Sequence, residues 1–125
     1  MVKVLIVDDN IALTAFIKSM LESEKMCQVE TAGNGEAGYL AFLNFNPDIV
    51  VTDIEMPLKN GFEMMRNIRT HQAEIKTIYM SGNLDRHRRF LEVERKNHGV
   101  DLIDKPFVFS KLKGLVKKLQ ERKGG

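Results

Sequence analysis

The chain has 125 residues, 43% hydrophobic and 29% charged, which fits one domain (residues 1–125) with a real core and excludes a disordered or fibrous chain. Lys and Arg number 19 against 17 Asp and Glu, a net charge of +2 that is too small to argue for nucleic acid. One cysteine, Cys27, and three histidines exclude a disulfide-stapled fold and argue against a closed zinc site.

Val2 to Val7 is a short β-branched run, read as a first strand. It stops at Asp8-Asp9, too soon for a signal-peptide core or a membrane span, so a cytoplasmic location is expected. Leu13, Phe16, Ile17, Met20 and Leu21 then form one apolar stripe at helical spacing. Gln28 to Ala32 is a weaker strand, with Cys27 expected half-buried and inert just before it. Gly35 to Phe45 is an Ala- and Leu-rich helix that should stop before Pro47. Asp48 to Thr52 is a third strand, and Met64, Met65 and Ile68 mark a short helix after Gly61, both methionines filling the core. Ile75 to Met80 is a fourth strand. Leu84 to Asn97 is a charged helix with Phe90, Leu91 and Val93 as its apolar contacts. Val100 to Ile103 is a fifth strand, and Leu112, Leu115, Val116 and Leu119 mark a last helix. Glu121 to Gly125 reads as a frayed end. Short, continuously apolar strands are buried on both faces. Their alternation with helices predicts an α/β fold, a parallel sheet with helices on both faces.

In open α/β sheets, ligands bind beyond the carboxyl ends of the strands. Those ends carry Asp8-Asp9, then Asp53 with Glu55 two residues on, then Ser81-Gly82, then Asp104-Lys105-Pro106. Two carboxylates about 5 Å apart repel by roughly 3 kcal/mol at an effective dielectric near 20, so three on one edge imply a divalent cation. Oxygen ligands suit Mg²⁺ or Mn²⁺. With the Lys105 ammonium and the Ser81 hydroxyl, the set would hold a phosphoryl group. Each piece alone has a plainer reading. An Asp pair after a strand is commonly a helix N-cap, here near Asn10; Ser-Gly is a turn and Lys-Pro a loop stop. One aspartate can cap while the other binds metal.

Taken in order, Asp8-Asp9-Asn10, Asn34-Gly35-Glu36-Ala37, Asp53-Ile54-Glu55-Met56-Pro57 with Gly61, Tyr79-Met80-Ser81-Gly82 and Lys105-Pro106-Phe107 resemble the receiver domain of two-component response regulators, of the chemotaxis-regulator type. The resemblance covers nearly the whole chain. It implies five parallel strands in the order 2-1-3-4-5. It implies that Asp53 accepts a phosphoryl group from a phosphohistidine on a histidine kinase or histidine phosphotransfer protein. Asp9 would bind Mg²⁺ directly, Asp8 mostly through water, and Asp53 and the Glu55 backbone carbonyl would complete the ligands. Ser81 would swing to the phosphoryl oxygens, Lys105 would pair with them, and the Lys105–Pro106 bond would be cis. The face of the fourth helix, fifth strand and fifth helix would then shift toward a downstream effector domain or protein. No enzyme activity beyond self-phosphorylation and self-dephosphorylation is implied. Neither a membrane nor direct nucleic-acid contact is implied, and a phosphorylation-dependent homodimer is allowed.

Leu102 stands where the family usually has an aromatic, and a leucine has no hydroxyl to trade between inside and outside; the loop before it is one residue short. Glu55 and Asn83 occupy positions that tune water access in the family. Arg86-His87-Arg88-Arg89 and the basic last helix (Lys111, Lys113, Lys117, Lys118, Arg122, Lys123) read as solvated faces, with an output patch for an acidic partner as the alternative for the first. Lys111 replaces an acidic residue common in receivers joined to winged-helix DNA-binding domains. His71, His87 and His98 share no spacing and read as surface positions. Two other functions compete: a small aspartate-nucleophile phosphatase, and a phosphate-independent interaction module.

Overall fold

The computed structural model describes residues 1–25 and 27–123, with side chains as far as Glu121. The elements run β1 (Val2–Val7), α1 (Ile11–Ser23), β2 (Cys27–Ala32), α2 (Gly35–Phe45), β3 (Ile49–Asp53), α3 (Gly61–Arg69), β4 (Lys76–Ser81), a 3-10 turn (Leu84–His87), α4 (Arg88–His98), β5 (Asp101–Asp104) and α5 (Phe109–Lys123). Of the expected frayed end, residues 121 to 123 continue α5. Gly124 and Gly125 lie outside the described residues, as do the side chains of Arg122 and Lys123.

All strands are parallel, in the order β2-β1-β3-β4-β5, as the resemblance implied. Side chains alternate across a strand, and here the alternation makes two cores. Val4, Ile6, Ile49, Val51, Ile78 and Met80 face α1 and α5, meeting Ile17, Leu21, Leu112 and Val116. Leu5, Val7, Val50 and Tyr79 face the other way, meeting Phe42, Met64, Met65, Ile68 and Leu91. Burial on both faces holds for β1, β3 and β4. The two edge strands keep open positions, because each has a neighbour on one side only.

The helix starts follow from their caps. Asn10, Asn34 and Asn60 each accept a hydrogen bond from a backbone N–H three residues on, and Asn60 completes a capping box with Glu63. The cap of α1 is therefore Asn10, and neither aspartate of the pair plays that part; Asp8 instead accepts the Asn10 N–H at 2.9 Å. The single helix expected over 84–97 is divided. No side chain caps at Asn83 or His87, and Leu91 is the one buried residue of α4, so little packing draws the first turn into α geometry. Phe90 and Val93, expected as core contacts, are each 54% exposed. Cys27 lies inside β2 and is fully buried, where half-burial was expected. Among the described residues no helix is long and apolar enough to cross a membrane.

The register aligns the chemistry-bearing ends. Val7 pairs with Thr52, Asp53 with Met80, and Ser81 with Asp104. Gly61 begins α3 directly against this edge, and a Cβ there would lie 2.4 Å from the Asp53 carbonyl oxygen.

Candidate functional site

Asp8, Asp9 and Asp53 reach the carboxyl edge from the ends of β1 and β3. Each offers a carboxylate oxygen, and these all lie within 4.8 Å of one another. Asp8 and Asp53 are buried and Asp9 is exposed. Lys105, just past β5, sends its ammonium into the group, 2.5 Å from Asp8 Oδ2 and 3.3 Å from Asp53 Oδ2. The Lys105–Pro106 bond that aims it is cis. The Lys105 N–H donates to the Ser81 carbonyl at 2.9 Å, which ties the loop to β4.

The electrostatics follow from burial. Burial, and then the Asp8 charge, push the Asp53 carboxyl above the usual carboxylate range, while Lys105 pulls it back. Burial works against the Lys105 charge, but the bond to Asp8 and the two carboxylate charges outweigh it and raise the ammonium's pKa. Three carboxylates facing one ammonium leave an excess of two negative charges. An all-oxygen donor set with that excess fits a hard divalent cation of the Mg²⁺ or Mn²⁺ kind, and it lacks the nitrogen and sulfur that zinc favours.

Ser81 ends β4 with no exposed surface. Its Oγ accepts the Asn83 N–H at 2.9 Å and donates to Glu55 Oε1 at 3.3 Å. The Glu55 carboxylate lies near Arg86 and His87, at 3.7 and 3.6 Å. His87, expected at the surface, is half-buried against the Phe62 ring at 5.8 Å. Sequence reading missed this flank, because a basic run before a helix carries no sign that one member turns inward. Beside Lys105, a cleft of about 330 Å³ is lined by Asn10, Leu13, Lys105, Pro106 and Phe107.

Leu102, half-buried in β5, is paired with Tyr79 of β4. The Tyr79 hydroxyl donates to Glu94 at 2.6 Å, and Arg69 reaches the same carboxylate at 2.6 Å. The strand neighbour of Leu102 is thus an aromatic on β4 whose hydroxyl is fixed to α4.

The response regulator receiver domain family matches residues 4–117. The probable C4-dicarboxylate response regulator DctR of Bacillus subtilis (strain 168) is 31% identical over 122 residues, which is 97% of this chain and 53% of that protein. The chain thus spans about half the length of this relative. Among solved structures, the receiver domain of the Francisella response regulator 1452 matches with a TM-score of 0.84 at 26% identity, covering 98% of this chain and 99% of that one. The response regulator protein TrrA of Thermotoga maritima, in complex with Mg(2+)-BeF, matches with a TM-score of 0.79 at 32% identity, covering 95% and 99%.

Proposed function

The chain belongs to the response regulator receiver domains, and from that premise we propose that residues 1–125 act as one phosphoacceptor module with Asp53 as the acceptor. The observation that carries this is the convergence of Asp8, Asp9, Asp53 and Lys105 at one end of the sheet. A carboxylate oxygen of Asp53 attacks the phosphorus of a phosphohistidine, the new P–O bond replaces the P–N bond, and the imidazole leaves. Lys105 stays beside the acceptor and offsets the charge that arrives with the phosphoryl group. Ser81 turns its hydroxyl proton to a phosphoryl oxygen. Asp8, Asp9, Asp53 and the Glu55 backbone carbonyl would hold Mg²⁺, or Mn²⁺, which when bound neutralises phosphoryl oxygens during transfer. The donor is a histidine kinase or histidine phosphotransfer protein, whose histidine reaches Asp53 past the cleft at Asn10, Pro106 and Phe107. The output is read by an effector domain or protein.

An aspartate-nucleophile phosphatase would need an acid/base two residues after Asp53. Glu55 stands there, but its carboxylate accepts the Ser81 proton and faces Arg86 and His87. Incubation with Mg²⁺ and acetyl phosphate, followed by intact-mass measurement, tests the proposal. Wild type is expected to gain one phosphoryl group and Asp53→Asn none. Uptake by Asp53→Asn at the wild-type rate would overturn the assignment.

A further inference from the structure

Ser81 is committed elsewhere in this structure. A serine hydroxyl has one proton to donate, and here it goes to Glu55 Oε1 at 3.3 Å while the oxygen accepts the Asn83 N–H. The proton that a phosphoryl oxygen would receive is already in use.

On its other side the Glu55 carboxylate, 46% exposed, is flanked by two basic side chains. Arg86 Nη1 lies 3.7 Å from Oε2 and His87 Nε2 lies 3.6 Å from Oε1. The His87 Nε2 atom is buried and has no hydrogen-bond partner, so the carboxylate is the polar group it faces. The imidazole is fixed by its ring contact with Phe62, which itself stacks on Phe90 at 4.6 Å. It is a half-buried ring set between Phe62 and the Glu55 carboxylate.

We infer that Glu55, buttressed by His87 and Arg86, is a positioning residue that withholds the Ser81 hydroxyl from the phosphoryl site until the Ser81–Glu55 hydrogen bond is broken. The inference rests on the reading above that Ser81 serves the phosphoryl group on Asp53. It makes Glu55 oppose the phosphorylated state in two separable ways. Its charge repels the incoming anion whatever residue 81 is. Its hold on the hydroxyl matters only while Ser81 is present.

A double-mutant cycle separates the two. Beryllofluoride, with Mg²⁺, is titrated into wild type, Glu55→Ala, His87→Ala, Ser81→Ala and the two double variants, and binding is read by fluorine NMR. A net hydrogen bond corresponds to a gain of about 3- to 10-fold in affinity when its competitor is removed. Glu55→Ala is expected to gain by that amount, and His87→Ala in the same direction by less. In the Ser81→Ala background the His87→Ala gain should vanish, and the Glu55→Ala gain should shrink to the part due to its charge. A gain of the same size without Ser81 would reduce Glu55 to a repelling charge and overturn the inference, as would no gain at all. Failure of wild type to bind beryllofluoride would instead bring down the Asp53 assignment, and this inference with it.

Discussion

Lys105 lets Asp8 and Asp53 share one end of the sheet. Asp8 is buried, and among the described residues Lys105 is the cation paired with it; without that ammonium its charge would face Asp53 with only the Asn10 N–H to offset it. Removing one partner of a buried ion pair costs about 3–5 kcal/mol. Lys105→Ala is therefore expected to lose roughly that much stability in metal-free urea unfolding, with Mg²⁺ recovering part of the loss. An equal loss with and without Mg²⁺ would contradict the charge-balance account. Cys27 shows a second effect of burial. Desolvation, and then Glu22, push its thiol from 9.0 up to about 11. The unfolded thiol loses its proton first, so this contribution is whole below pH 9 and is lost as pH rises toward 11. Cys27→Ala should fall less steeply in stability over that window than wild type, as urea unfolding at stepped pH would measure. The acidic residues, Ser81 and Lys105 were legible because each stands within two residues of the end of an apolar run. His87 was not, since its inward turn depends on Phe62 and Glu55, both remote from it in sequence.

At the scale of elements, β4 is tied to its neighbours by polar groups as well as by packing. Tyr79 and Arg69 meet on the Glu94 carboxylate, and Arg69 also donates to Thr77 at 3.3 Å. Burial and the Glu94 bond push the Tyr79 hydroxyl far above its ordinary pKa. Tyr79→Phe removes a bond to a charged acceptor and is expected to cost about 1.5–3 kcal/mol in chemical unfolding; a neutral result would mean that the network contributes no stability. The loop from β3 to α3 depends on close approach instead. Gly61→Ala would place a methyl group 2.4 Å from the Asp53 carbonyl oxygen. Moving that backbone is expected to cost about 1–3 kcal/mol and to slow phosphoryl uptake, which acetyl phosphate time courses would show. Although the Asn34 and Asn60 caps that fix them were not read from the sequence, the starts of α2 and α3 were legible near Gly35 and Gly61. The start of α4 was not, because no capping side chain marks it. The polar network at Tyr79 was equally hidden, because it joins three elements that are separate in sequence.

For the whole molecule, periodicity alone predicted a parallel sheet between two helical layers. The order β2-β1-β3-β4-β5 came from the family resemblance, since alternation does not say on which side of β1 the second strand lies. Burial on both faces was legible for β1, β3 and β4, and the edge strands depart from it for want of a second neighbour. Leu102 broke the family pattern in the sequence, and the structure gives the break a setting beside Tyr79. In the proposed function this architecture makes one carboxylate, Asp53, the phosphoryl acceptor. Borohydride reduction of the acyl phosphate followed by peptide mapping tests it most directly. Homoserine at position 53 alone, formed only when Mg²⁺ and a phosphodonor are both supplied, is the predicted result. Homoserine at position 8 or 9 with Asp53 intact would contradict it.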